Sequence, residues 1–279
     1  RGKFRSYPME RLLKQAEKMA QQGVRELILV AQETTLYGTD LYGKKSLHRL
    51  LEELCKITGI YWIRVLYCYP EEIYPELVEV IAREPKVCHY LDLPIQHASD
   101  RILKRMGRRT SKKQLVEIVR TLREKIPDIV LRTTLITGFP GETQEDHEEL
   151  MEFVDTMEFD RLGVFTYSPE ENTPAAVMKA QISEEIKEDR KAELMELQQE
   201  ISLERGNSRI GQVLLVMIEG KVADENAYVG RTYADAPNVD GYIFVQSPEM
   251  LMSGDFVKVR VTGALEYDLI GEIYDEYAE

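Results

Sequence analysis

Five apolar runs recur at near-even spacing through the first 166 residues, and no other feature constrains the fold as strongly. Leu27–Val30, Trp62–Tyr67, Tyr90–Leu93, Ile129–Ile136 and Leu162–Phe165 begin 35, 28, 39 and 33 residues apart. Their largely apolar character suits strands buried on both faces. Between them, apolar residues recur at helical spacing. Met9, Leu12, Leu13, Ala16, Met19 and Ala20 are stopped by Gly23, and Leu47, Leu50, Leu51 and Leu54 stand behind a capping Ser46. Pro75, Pro127 and Thr143 bound three more such segments. This period is that of a βα unit. Right-handed crossovers then predict a parallel sheet, α/β in class, with the loops after the strands gathered at one end. The chain opens on a helix, so a first strand is expected upstream, and Arg1–Arg5 looks like the middle of a longer protein.

The pattern changes after a long charged helix over 183–206. Val213–Ile218, Ala227–Tyr233, Tyr242–Val245, Phe256–Val261 and Asp268–Ile273 are short, β-rich and separated by Gly, Pro, Asn and Asp. Five strands in about 70 residues predict a small all-β barrel of the OB type. The expected division is 1–206 for a partial (βα) barrel and 207–279 for the small barrel.

Composition narrows the function. A chain 43% hydrophobic and 30% charged is not disordered. No apolar run approaches the ~20 residues that span a bilayer, so no membrane role is expected. Cys55, Cys68 and Cys88 are too few and too scattered for a disulfide framework. They point to a reduced, cytoplasmic setting and form no zinc or iron–sulfur motif of their own. A net charge of −13 argues against general nucleic-acid binding. The run Lys104, Arg105, Arg108, Arg109, Lys112 and Lys113 is open to two readings, a phosphate-binding surface or a solvated helix face.

Functional groups in parallel α/β proteins concentrate at strand ends. After the first strand, Gln32 and Glu33 offer acceptors for an ammonium, or begin a polar capping loop. After the third, Gln96 and Ser99 offer hydrogen bonds to a ribose or carboxylate, although Ser99 equally suits a helix cap. The fourth strand carries Arg132, whose guanidinium needs an anion if buried, and ends in a Gly138-Phe139-Pro140-Gly141-Glu142 turn. The fifth ends in Phe165-Thr166-Tyr167, suited to a planar base or to core packing. No residue stands out as a catalytic acid or base, and none as a metal ligand.

Four blocks in order, GVRELILVAQETTLYGTD, LDLPIQHASDRILKRMGR, LRTTLITGFPGET and FTYSPEENTPA, resemble the radical-SAM methylthiotransferases, and the terminal barrel resembles their TRAM domain. The resemblance runs over essentially the whole chain. It implies S-adenosylmethionine held against a 4Fe–4S cluster whose CxxxCxxC ligands lie upstream of Arg1. It also implies a second cluster in a missing N-terminal domain, and a reductant such as flavodoxin or ferredoxin. Cleavage to a 5′-deoxyadenosyl radical would then remove hydrogen from an unactivated carbon. By position, Gln32 and Glu33 would take the methionine ammonium and Arg132 its carboxylate. Gln96 and Ser99 would sit near the ribose, and Ile136, Gly138, Phe165 and Tyr167 would line the adenine. The chain alone would be inactive and would bind S-adenosylmethionine weakly.

Within that family, GRTYADAPNVDG and LYCYPEEIYPE look like the branch that methylthiolates the β-carbon of an aspartate in a small-subunit ribosomal protein. The branch acting on a tRNA adenosine is the alternative, and a non-catalytic scaffold binding a ribosomal protein is a third reading. Charge favours the first. From residue 207 onward there are five basic and thirteen acidic residues, a net of −8 that leaves −5 for the rest. An acidic barrel suits a basic protein better than a phosphate backbone. Glu219, Arg231, Asp235 and Asp240 are the candidate partner contacts there.

Overall fold

A computed structural model describes residues 2–223 and 225–275. Of the acidic residues counted in the terminal barrel, Asp224, Glu276 and Glu279 lie outside the described residues, as does Arg1. Five strands, β1 (Glu26–Leu29), β2 (Trp62–Val65), β3 (Val87–Asp92), β4 (Val130–Thr137) and β5 (Arg161–Thr166), form one sheet in sequential order, every pair parallel. The crossovers carry α1 (Met9–Gln21) ahead of β1, α2 (Thr39–Tyr42) and α3 (Leu47–Cys55), α4 (Pro75–Arg83), α5 (Asp100–Arg105) and α6 (Lys112–Lys125), and α7 (Gln144–Met157). A long α8 (Glu184–Asn207) closes this layer and packs on α7 and β5.

One face of the sheet meets the helices. Leu27, Ile63, Leu91, Leu131, Leu135 and Leu162 join Leu51, Leu77, Leu122 and Phe153 in a single apolar core. The alternation in β4 shows how sequence sets this: Leu131, Thr133 and Leu135 are buried, whereas Arg132, Thr134 and Ile136 turn to the other face and are partly open. Helix starts follow their caps unevenly. Thr143 and Ser111 make reciprocal capping boxes with Asp146 and Gln114. Ser46 stands at the N-cap of α3 but its hydroxyl donates to the Lys44 carbonyl, so the expected side-chain cap is not made.

β6 (Val213–Lys221), β7 (Ala227–Arg231), β8 (Ile243–Gln246), β9 (Phe256–Ala264) and β10 (Leu269–Ile273) close into a barrel around Val216, Ile218, Val245 and Val259. This barrel sits against the N-terminal ends of the sheet strands. Trp62, Cys88, Tyr90 and Val130 pack with Met217, Ala234 and Ala236, and Phe256 stacks on Tyr61 at 4.8 Å. No helix among the described residues is long and apolar enough to cross a membrane.

Candidate functional site

The sheet face turned away from the helices is graded from charged to apolar along the strands. From its N-terminal end to its middle lie Glu26, Arg64, Tyr90, Asp92, Arg132 and Arg161, and the 232–240 loop of the small barrel reaches Arg64, Tyr90, Arg132 and Arg161. Arg64 donates to Glu26 (2.8 Å) and to the Tyr233 carbonyl (2.6 Å). Arg231 reaches across to Glu26 (2.7 Å) and holds Glu219 (2.7 Å). Arg161 meets Asp235 at 2.5 Å, and Arg132 lies between Asp92 (2.9 Å) and Asp240 (3.3 Å). Burial opposes the charge on Arg132 and Arg161, yet the carboxylates prevail and hold both guanidinium protons more tightly than usual. Burial pushes the Asp240 carboxyl up, against hydrogen bonds from Tyr90 and the Ala236 N–H.

This floor corrects several expectations. Arg132 needs an anion, as its place on an inward strand implied, but Asp92 and Asp240 supply it. Asp235 and Asp240 are nearly fully buried and Arg231 is 2% exposed. Glu219 is bound to Arg231. Arg231, Asp235 and Asp240 therefore form no partner surface, whereas Glu219 keeps an exposed edge. Asp235 and Asp240 fasten the small barrel to the sheet: Asp235 supplies the close counter-charge of Arg161, and Asp240 adds a second carboxylate to Arg132 beside Asp92.

At the opposite, C-terminal ends of the strands the same face opens. A cleft of about 450 Å³ is lined by Tyr69, Gln96, Arg108, Ile136, Phe165 and Tyr167 among others. Phe165 is 62% exposed, large for an aromatic ring, and Val30 at the end of β1 is 61% exposed. Gln96 adopts φ 73° and bridges β4: its N–H donates to the Thr134 carbonyl and its own carbonyl accepts from Ile136. A non-glycine residue held left-handed at a strand end is a local strain of the kind found at binding sites. Tyr67 does the same at φ 58° after β2. No Asp, Glu, His, Lys or Cys lines this cleft among the described residues.

Four of the expected cofactor contacts, Gln96, Ile136, Phe165 and Tyr167, are thus brought together. Tyr167 is the back wall: it is 8% exposed, packs edge-on to Phe139 at 5.1 Å, and its carbonyl accepts from Lys187. Gln32 is exposed at the end of β1. The other expected contacts are corrected. Glu33 is buried and ties two loops together, accepting from the N–H and hydroxyl of Thr35 and from the Tyr69 N–H. Burial pushes its carboxyl up in spite of these bonds. Ser99 stands at the N-cap of α5, but its buried hydroxyl donates to Asp146 at 2.6 Å. Gly138 has φ 71°, and a Cβ there would lie 2.2 Å from Lys187 Cγ, so its bareness serves α8 packing and not a ligand. Its N–H donates to Glu142, which is also bound by Arg190.

Half of the basic run is used within the fold, and Lys104, Arg109 and Lys113 are exposed. Arg105 donates to the Pro140 carbonyl and Lys112 to Glu149. Arg108 turns into the cleft, a placement hidden from sequence because the residue was embedded in a charge run. Among the described residues no cluster of His, Cys, Asp or Glu could hold a metal ion.

Residues 1–154 match the model of the radical SAM superfamily, and 210–273 match that of the TRAM domain. The chain belongs to the radical SAM superfamily. Its cleft lies where the strands of that matched segment end, and its TRAM barrel closes the far side of the sheet. The chain is 63% identical over 271 residues to ribosomal protein uS12 methylthiotransferase RimO of Lachnoclostridium phytofermentans, covering 97% of this chain and 62% of that protein. It is 52% identical over 279 residues to the protein of the same name from Clostridium botulinum strain Langeland, covering 100% of this chain and 62% of that one. The chain therefore spans about three-fifths of the length of these relatives. Among solved structures, coproporphyrinogen III oxidase from Escherichia coli, a radical SAM enzyme, overlaps with a TM-score of 0.49 at 13% identity, covering 92% of this chain and 60% of that one.

Proposed function

We propose that this chain is the S-adenosylmethionine-binding and TRAM portion of a methylthiotransferase that modifies the β-carbon of an aspartate in ribosomal protein uS12. The observation that carries the reading is the 63% identity to a protein named for that activity, over 97% of this chain. The cleft agrees with it. Ile136 and Phe165 offer apolar faces to an adenine and Gln96 an amide to a ribose; Gln32, outside that lining, is exposed at the end of β1 and offers an acceptor to an ammonium. The residues present thus fit S-adenosylmethionine. They do not fit an iron–sulfur cluster, so cluster ligands, and a second cluster, belong to the protein outside these residues in this proposal.

S-adenosylmethionine beside a reduced cluster supplies one-electron removal of hydrogen from a carbon that no side-chain base could deprotonate. The side chains of the cleft then bind, orient and exclude water. A lining without carboxylate, imidazole, amine or thiol suits that task, since no group there competes as a base. The ion pairs at the N-terminal end keep the strands in register beneath the cleft. We place the division between the two parts near Gly206, and assign a flavodoxin- or ferredoxin-type reductant and a basic ribosomal protein as partners. The test is anaerobic reconstitution of the full-length parent with uS12 and tRNA offered together. A methylthio mass gain on uS12 is expected; a gain on tRNA alone, or no 5′-deoxyadenosine, refutes the reading.

A further inference from the structure

We propose that Arg108 is the substrate-recognition residue of the cleft, and that it takes the carboxylate of the acceptor aspartate. The inference deepens the function proposed above and rests on it. Arg108 is the one formally charged side chain among those lining the cleft. Its guanidinium lies over the Tyr69 ring at 4.7 Å, and one of its N–H groups donates to the Pro94 carbonyl at 3.0 Å. Its side chain is only 14% exposed. Tyr69 is in turn fixed by Glu33 through its N–H at 2.8 Å. The cation is therefore held in one plane and largely desolvated.

What it lacks is an anion at hydrogen-bond distance. The nearest carboxylate, Glu71, stands at 3.8 Å and is engaged by the Thr110 hydroxyl at 2.8 Å. The buried Nε of Arg108 has no partner in the protein. By contrast Arg64, Arg132, Arg161 and Arg231 each have a carboxylate between 2.5 and 2.9 Å. A guanidinium presents five donors in a fork that matches a carboxylate, and a partly desolvated one without such a partner is completed by a ligand that brings it. Two reactants carry a carboxylate, the methionine end of S-adenosylmethionine and the acceptor aspartate. The reaction requires the carbon beside the acceptor's carboxylate to be held still. Gripping that group positions the reacting carbon directly, and it distinguishes aspartate from asparagine.

The test uses the full-length parent, once the wild type has been shown to modify uS12; failure at that stage sinks the functional reading and this proposal with it, whereas the outcomes below bear on Arg108 alone. Arg108→Gln and Arg108→Lys are compared for acceptor affinity by anisotropy without turnover, for KM, and for S-adenosylmethionine affinity by equilibrium dialysis. Circular dichroism confirms folding. Arg108→Gln should weaken binding of the aspartate acceptor by roughly tenfold to a hundredfold, in keeping with a charge-assisted hydrogen bond. It should also erase the preference over an asparagine acceptor, while Arg108→Lys falls between and S-adenosylmethionine affinity stays within about twofold. Loss of S-adenosylmethionine affinity with unchanged acceptor binding would assign the carboxylate to the methionine and overturn the proposal. Unchanged binding of both would overturn it equally.

Discussion

Replacing Asp235 with Asn tests whether buried charge fastens the TRAM barrel to the sheet. The Asp235 carboxylate accepts from Arg161 at 2.5 Å and from the Thr232 hydroxyl at 2.8 Å. Asn preserves volume and can still accept from Thr232, so the change isolates the charge. It leaves Arg161, 17% exposed, with the Asp160 carbonyl at 3.3 Å as its remaining hydrogen-bond partner. Removing one member of a buried pair costs about 3–5 kcal/mol, and the residual exposure of Arg161 places this case near 3. At about 2 °C per kcal/mol for a chain of this size, the melting midpoint should fall by about 6 °C. Hydrogen exchange should rise first in the 232–240 loop, because the weakened contacts are local to it. In a double-mutant cycle, Arg161→Met with Asp235→Leu should recover most of the loss and show a coupling above ~2 kcal/mol. An Asp235→Asn protein as stable as wild type, or single losses that simply add, would refute the view that this pair joins the two parts.

Asp146 accepts from Ser99, Arg101 and Thr143; burial opposes its charge, but these bonds outweigh it and hold the carboxyl well below the usual range. Its stabilisation is then present above the unfolded pKa, about 4, and is lost as pH falls through the lower folded value. Asp146→Asn should therefore cost about 1–3 kcal/mol at pH 7, and the gap to wild type should close in denaturant titrations run below pH 4. Burial pushes the Cys55 and Cys88 thiols up to about 11 and the Cys68 thiol well above its usual value. Folded protein should thus resist iodoacetamide at pH 8, where a thiol of pKa 11 is roughly one-thousandth thiolate, and react at all three sites in denaturant; rapid native labelling of Cys68 or Cys88 would contradict the burial. Gly138→Ala meets both a left-handed φ and the Lys187 stem, and should lower stability by about 2 kcal/mol or more in a thermal scan. Measured against a Lys187→Ala background, the further loss from Gly138→Ala should shrink toward its backbone part.

Much of the architecture was legible because it rests on local signals. The apolar runs and the Gly, Pro and Thr stops lie within a few residues of the strand and helix ends, and the change from parallel sheet to closed barrel follows the long charged helix α8. The cleft was legible where a rule about strand ends suffices, as for Gln96, Ile136 and Phe165. It was not legible where the outcome depends on a distant partner. Ser99 and Asp146 are 47 residues apart, and Glu33 and Tyr69 are 36 apart. Nothing near Ser99 or Glu33 tells a ligand contact from a tie between loops. Arg108 was hidden for the converse reason: its neighbours in sequence are cations, whereas its neighbours in space are an aromatic ring and a carbonyl.

The acidity of the terminal barrel serves in part inside the fold. The excess of acidic residues after residue 207 is real, and a basic partner was the reasonable inference from it. Yet Asp235 and Asp240 face Arg161 and Arg132 of the same chain, and Glu219 and Arg231 join a chain of charges through Glu26 to Arg64. At the docking face the acidic loop complements a basic sheet floor, so the basic partner of this part of the barrel is the sheet itself. Any recognition of a ribosomal protein must then use other acidic groups on the barrel or the cleft at the opposite ends of the strands. Arg108 brings to that cleft a positive charge whose nearest carboxylate, Glu71, stands at 3.8 Å, and this is the sign needed to receive an acidic side chain. The chain thus neutralises its buried arginines where the two parts dock and leaves one without a close carboxylate where a substrate would enter.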